Sequence, residues 1–525
     1  MSCFRRLTTC SLALTVLGVG EAESVPMLRQ YAHLESSDGG RDDVFGFSVA
    51  ISGDTAVVGA HVHYHRRGAA YVYQRGGQGW ILQAKLEASD GDPGELFGYS
   101  VAISGTTIVV GALDFSSGIS GEPSGTGAAY VFVRSGAIWE EKACLRASNA
   151  DRDDEFGRSV AISGNIIAVG APEEDGDAAS TAVSPNEELR NSGAAYLFEG
   201  QGSNWTQRAY LKGSNLGQGD LFGYSAAVDG DTVVIGSLFE RTSEPNVRTG
   251  AAYVFDRTGG TWTERAHLEA SNWRAGDWFG ASVAVSGDTI AVGAPNEDGE
   301  DREPGYNAGA VYIFTRDGAD WSQQAYLKAS NPDYRDEFGW SVSLSENTVA
   351  IGAHFEDGDA ASSASAPNNL APGAGSAYVF ARGADSIWSQ LGYLKGYNAM
   401  GDAQFGGAVA ISSGTVVVGA PKEGGILTPQ FPNDGPGAVH VFETLLEGQQ
   451  PDLTLQATPT AAILTARIPF AARYGIEYSP ALERGSWVEI GDFPAPNAVG
   501  ISTFVDTNPE RRASPSGYYR AFDRE

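Results

Sequence analysis

The stretch DEFGRSVAISGNIIAVGAP at 154–172 recurs in seven versions, whose Phe-Gly pairs begin at Phe45, Phe97, Phe156, Phe222, Phe279, Phe338 and Phe405. The copies lie 52 to 67 residues apart. Recurrence at this period restricts the chain to a repeat architecture with one supersecondary unit per copy. The third copy reads as four strands. SVAIS (159–163) follows Phe-Gly, and a Gly-Asn turn leads to IIAVGA (166–171), apolar on both faces and therefore central. A long loop precedes GAAYLF (193–198), and a Gly-rich turn with Trp205 opens a fourth, alternating strand ending in AYLKGS. Seven antiparallel four-stranded units predict an all-β fold, a seven-bladed β-propeller.

The two ends of the repeat region predict how the ring closes. The seventh copy stops after its third strand, GAVHVF (437–442), with no Trp and no AYLKAS-like segment. Residues 27–36, MLRQYAHLES, match that missing strand and stand alone before the first copy. Pairing them would complete blade seven and remove two open sheet edges. An open solenoid leaves this matching of ends unexplained. The propeller is expected over 27–443 and a linker over 444–451. Six short alternating runs in 452–525 predict a small β-sandwich.

Arg5 and Arg6, the apolar run Leu12–Val19 and the small residues Gly20 and Ala22 read as a signal peptide over 1–22. Export to the cell exterior or surface is the expectation. Cleavage there leaves Cys144 as the one mature cysteine, so no internal disulfide is expected. A net charge of −30 disfavours nucleic acid and anionic membrane as partners. No apolar run after the signal is long enough to span a bilayer.

Strand alternation assigns the loops to faces. The connections from strand four to one and from two to three emerge together. The second kind is long and varies between copies, so this face is where binding is expected. Three of these loops are acidic: PEEDGD, PNEDGED and HFEDGDA. Glu174, Asp175 and Asp177, then Asn296, Asp298 and Asp301, then Glu356, Asp357 and Asp359, are candidate Ca²⁺ ligands, because hard cations need oxygen donors around a turn. The spacing is not a complete D-x-D-x-D-G pattern, and solvated acidic turns are the competing reading.

A second acidic element flanks the Phe-Gly pair. An acid stands two residues before it in six copies: Asp43, Glu95, Asp154, Asp220, Asp277 and Asp336. A serine stands three residues after the Phe in the same six: Ser48, Ser100, Ser159, Ser225, Ser282 and Ser341. The seventh copy has Ala403 and Ala408, losing both at once. Joint loss predicts that acid and serine are partners in a structural clamp, through a carboxylate-to-hydroxyl or carboxylate-to-backbone bond. His61, His63 and His65 alternate in the first loop; an exposed polar hairpin is favoured over a transition-metal site there. No nucleophile elbow, zinc-protease, paired-cysteine or phosphate-loop motif occurs, and no carboxylate pair stands out as glycosidic.

FGRSVAIS…VGAP (156–172), FGASVAVS…VGAP (279–295) and FGGAVAIS…VGAP (405–421) resemble the FG-GAP family, whose repeats form the seven-bladed head of integrin α subunits. The resemblance covers about 27–443. It implies adhesion or surface recognition. That family's Ca²⁺ loops lie between the first and second strands; here that connection is only SGDT or SGNI, so those ligands do not carry over. YGIEYSPALERGSWVEIG and the final GYYR are similar to fibronectin-like end modules of exported bacterial proteins. The expected function is a secreted or cell-surface binding protein for an extracellular protein or glycan, with Ca²⁺ as the candidate ion. A polysaccharide- or phospholipid-processing enzyme and a structural envelope component are the alternatives.

Overall fold

The computed structural model describes residues 28–444, apart from 41, 78, 92, 114–125, 177–187, 242–246, 300–305, 360–367, 398 and 425–434, together with six strands of the C-terminal region. The expected signal peptide and all of the linker but Thr444 lie outside the described residues.

Seven four-stranded antiparallel sheets are present, six of them in sequence order from inner to outer strand. Blade three is representative: Ser159–Ser163, Ile166–Ala171, Ala194–Gln201 and Asn204–Leu211. Its second strand is buried at every position, as a strand covered on both faces must be. Blade seven takes Ala408–Ser412, Thr415–Ala420 and Ala438–Thr444, and its fourth strand is Leu28–Leu34. The register runs from Leu28 opposite Thr444 to Leu34 opposite Val439. The N-terminal strand therefore closes the ring.

In the C-terminal region, Ala462–Arg467 pairs with Leu453–Ala457 and Ile501–Asp506, and Tyr474–Ser479 pairs with Val488–Asp492 and Tyr518–Asp523. These are two three-stranded sheets, the content expected of a small sandwich.

Hydrophobic packing runs between blades. Phe156 is fully buried and sits edge-on to Tyr196 at 5.3 Å and Phe198 at 6.1 Å. The same geometry recurs at Phe97, Phe222, Phe279 and Phe338. Edge-to-face pairs of this kind add to the area the rings bury.

The Phe-Gly turn also splices one blade to the next. The Phe222 N–H donates to the Ser192 carbonyl of blade three at 2.9 Å, and the Phe45 N–H makes the corresponding bond to Pro436 of blade seven. Gly223 returns its carbonyl to Ser159 Oγ, 2.9 Å away. Ser48, Ser100, Ser225, Ser282 and Ser341 reach Gly98, Gly157, Gly280, Gly339 and Gly406 in the same way, at 2.8–2.9 Å.

This corrects the expected pairing of acid with serine. The serine belongs to the following blade's turn. The acid acts locally: Asp43, Asp154, Asp220, Asp277 and Asp336 each accept the N–H three residues earlier, at 2.5–2.7 Å. Both groups hold the same kind of turn, but different copies of it.

Candidate functional site

The innermost strands open, on the long-loop face, into a bowl of about 410 Å³. Its wall uses the residue directly after each Phe-Gly pair: Phe47, Tyr99, Arg158, Tyr224, Ala281, Trp340 and Gly407, one from every blade. Position in the repeat explains this ring. The Phe points into the blade junction, the Gly turns the chain, and the next side chain is left at the axial mouth.

A second ring comes from strained backbone. The residue before each Phe is left-handed in all seven copies: Val44, Leu96, Glu155, Leu221, Trp278, Glu337 and Gln404, with φ between 53° and 62°. Non-glycine residues seldom occupy this region, and such strain concentrates where side chains must be presented. Trp278 and Gln404 reach the bowl, and Leu221 lines a neighbouring groove.

The bowl is aromatic, with one cation. The Arg158 guanidinium lies 4.5 Å from the ring centre of Tyr224 and 5.3 Å from that of Tyr99, and bonds Glu155 at 3.0 Å. Burial pushes the Tyr99 hydroxyl up from its usual range, so it remains a neutral donor and acceptor. His61 and His354 stand where other copies have the Pro of Gly-Ala-Pro. His61 lies 4.2 Å from Phe47, and His354 lies 4.3 Å from Trp340. Burial, helped by Arg66, pushes His61 down to about 4; burial, helped by Lys422, pushes His354 down to about 3. Both imidazoles are therefore neutral at physiological pH; His354 lines the bowl, and His61 packs behind Phe47 and Tyr99. The lining residues hold no carboxylate.

Between blades three and four lies a groove of about 520 Å³ that includes Arg190, Arg241 and Arg248. Arg248 donates to the Gly219 and Gln218 carbonyls and lies 5.8 Å from the Phe239 ring centre. In a chain of net charge −30 these arginines make a local positive region on the long-loop face.

The acidic loops have protein partners of their own. Glu174 is buried and bonds Lys212 Nζ at 2.7 Å, Tyr210 Oη at 2.6 Å and the Gly176 N–H at 2.9 Å. Glu356 repeats this with Lys395, Tyr393 and Gly358, and Glu297 with Lys328 and Tyr326. The next acid closes the base of the loop. Asp175 accepts the Asn191 N–H at 2.7 Å, Asp298 that of Asn307 at 2.9 Å, and Asp357 that of Gly373 at 2.8 Å. Asn296 bonds the Asn307 side chain at 3.3 Å, and Asp359 bonds Asn368 at 3.1 Å. Asp177 and Asp301 lie outside the described residues.

Glu174 and Glu356 are thus each already paired with an ammonium, which stands where a cation would meet these two carboxylates. The turns between first and second strands are two-residue hairpins, such as Gly164-Asn165. The loops are stapled to the outer strand. That staple positions the long-loop face.

The three histidines of the first loop separate. His61 packs against the Phe47 and Tyr99 rings of the bowl wall, and His63 is buried between Asp43 at 2.7 Å and Lys85 at 3.0 Å. His65 is exposed in a helical turn whose Tyr64 and His65 are left-handed. Left-handed residues break the alternation that would have aligned the imidazoles.

The buried turn acids have a measurable consequence. Asp220 has one oxygen on the Gly217 N–H, and its Oδ1 has no partner among the described residues. Burial, with Glu240 adding to it, pushes Asp220 from 3.8 up to about 7. The folded form then keeps a proton that the unfolded chain has released, so this group's contribution declines as pH rises from about 4 to about 7. Asp220→Asn keeps the turn bond and removes the titration. Relative to wild type, the variant should gain stability across that window and show a constant difference above it. Urea midpoints at pH 4.5 and pH 8 test this, and a pH-independent difference would refute it.

A bowl walled by one residue per repeat, on blades spliced through Phe-Gly turns, is a feature of the repeat itself. The FG-GAP repeat family model matches seven times, at 28–73, 80–132, 139–198, 205–255, 262–314, 321–380 and 388–442. No curated protein sequence matches the chain. Each family match begins in one blade's outer strand and ends in the third strand of the next, the offset by which residues 28–34 complete blade seven. With these matches spanning its blades from end to end, the chain is a member of the FG-GAP repeat family.

Proposed function

We propose that this is a secreted or cell-surface binding protein of the adhesion type, which takes an extracellular glycan or protein ligand on its long-loop face. The observation that supports this is the axial bowl, a concave site of ligand size walled by Phe47, Tyr99, Tyr224, Trp278 and Trp340 with Arg158 among them. Aromatic side chains give large contact area at low entropy cost, and their faces accept both sugar C–H groups and apolar protein anchors. The neighbouring arginines favour ligands that carry acidic groups. A lining of aromatic rings, one guanidinium and a neutral imidazole suits binding better than acid–base turnover.

The test is a printed glycan array and a panel of immobilised extracellular-matrix proteins, probed with wild type, Tyr224→Ala and Trp340→Ala. A ligand of the bowl should lose at least ~10-fold in affinity in both variants, the loss typical of a central aromatic anchor. Binding that both variants leave unchanged would move the site off the axis. Turnover of a polysaccharide or phospholipid probe would replace the binding reading with the enzymatic one.

A further inference from the structure

Each loop-base glutamate needs a positive counterpart, and the blades supply it differently. Blades three, five and six use Lys212, Lys328 and Lys395. In blade seven the equivalent acid is Glu423, and the strand position that carries those lysines holds Glu35. The two tyrosine positions beside it, one on the third strand and one on the fourth, hold His440 and His33. A buried carboxylate that meets a fixed ammonium in three blades meets two imidazoles in this one.

We propose that His33, Glu423 and His440 form a binding site for a divalent d-block cation of the Zn²⁺ type, at the seam where the N-terminal strand closes the ring. Both imidazoles turn Nε2 toward the one carboxylate. His33 Nε2 is 2.8 Å from Glu423 Oε1, and His440 Nε2 is 2.6 Å from Oε2. One donor atom from each residue lies within 4.8 Å of the others. Tetrahedral zinc with bonds of about 2.0–2.2 Å sets its donors about 3.4 Å apart, so side-chain adjustment brings these three onto one ion. Two imidazoles with one carboxylate suit zinc-like ions rather than Ca²⁺ or Mg²⁺.

The surroundings complete the case. A ligating imidazole presents its other N–H to an acceptor, which fixes its orientation. Glu35 lies 3.7 Å from His33 Nδ1. The Gln30 side-chain amide is 2.9 Å from His440 Nδ1. Without an ion, the Gln30 oxygen takes the Tyr397 N–H at 3.1 Å, and its NH₂ faces His440, which leaves the imidazole hydrogen on Nε2 pointing at Glu423. Turning that amide over would give Nδ1–H its acceptor and free Nε2 for the cation, at the loss of the Tyr397 N–H bond to Gln30. His440 is fully buried, whereas the His33 side chain is 12% exposed on the outer strand, which gives an ion its way in. The three ligands come from the closing strand, the loop base and the third strand, so the ion would bind the chain's first described strand to its last blade.

The experiment uses the full chain after chelator treatment, titrated with Zn²⁺ by calorimetry and with Co²⁺ by visible absorption. We expect one ion per chain, the intense visible bands of four-coordinate Co²⁺, and a higher thermal midpoint with Zn²⁺ than with chelator. The variant His33→Tyr/Glu35→Lys/His440→Tyr installs blade three's set around Glu423. It should fold with a midpoint indifferent to Zn²⁺ and bind at least ~100-fold more weakly, the upper range for lost metal-site groups. His33→Gln, a single change at a partly exposed position, should weaken binding at least ~10-fold and decides the matter if the triple variant does not fold. No stoichiometric uptake by wild type, or uptake as tight in His33→Gln as in wild type, would overturn the proposal and leave the cluster a hydrogen-bonded triad.

Discussion

Lys395→Met should lower folding stability by about 3–5 kcal/mol, the usual cost of leaving one member of a buried ion pair without the other. The side chains of Lys395 and Glu356 are 5% and 3% exposed, and their charged atoms are 2.7 Å apart. Lys395 also caps the Gly375 carbonyl at 2.6 Å, the point where the blade-six loop re-enters the sheet. Burial pulls the Lys395 ammonium below its usual range, with Glu356 opposing, so the site tolerates the cation only because the carboxylate is there. Methionine keeps the apolar stem and strands Glu356 in a dry pocket with only neutral donors. Adding Glu356→Gln removes the stranded charge and should recover most of the loss. Urea midpoints of the two single variants and the double variant form the cycle that measures this. A single-variant loss below about 1 kcal/mol would mean that water reaches the pair.

Gly170→Ala is expected to cost at least ~3 kcal/mol or to prevent folding, because overpacking against fixed backbone has no soft way out. A Cβ there would lie 1.9 Å from the Gly223 carbonyl oxygen of the next blade and 2.4 Å from Ser159 Oγ. The first obstacle is main chain inside the blade junction, so relief requires separating blades three and four. Two controls sort the causes. Ser159→Ala removes only the bond to Gly223 and should cost about 1 kcal/mol. Gly164→Ala places a Cβ in open space at a positive φ of 57° and should cost about 1 kcal/mol through backbone strain alone. Soluble yield and thermal midpoints of the three variants give the order. Equal losses would remove the clash as the explanation.

Blade count, strand order and closure were legible in the sequence because each is written more than once. Seven Phe-Gly copies give the period, and the orphan strand at 28–34 has a matching vacancy after 438–444. Partners that cross between copies were less legible. Ser159 and Asp154 vary together, yet they bond to different turns, because a repeat reports which residues recur and not which copy they touch. The partners of the loop acids were hidden for a related reason. Read alone, Glu174 and Glu356 look like cation ligands. Their pairing with Lys212 and Lys395 was visible only by comparing copies: the blades with a lysine after the fourth-strand leucine hold it against the loop acid, while Glu269 and Glu35 stand there where His267 or His33 meets Glu240 or Glu423. The axial bowl had a sequence signal that strand patterning does not use. It is the one residue after each Phe-Gly pair, variable in type and constant in place.

The closing strand also sets a clock. Leu28–Leu34 is made about 400 residues before the strand it pairs with, Ala438–Thr444. At synthesis rates of about 5–20 residues per second, the first strand waits on the order of 20–80 s for its partner. Six complete blades have time to form before the ring can shut. Until then Leu28–Leu34 is unpaired, and the matching strand of a second copy is as good a mate as the chain's own. A high local concentration of chains at that stage would favour exchange of these strands between two copies over closure within one.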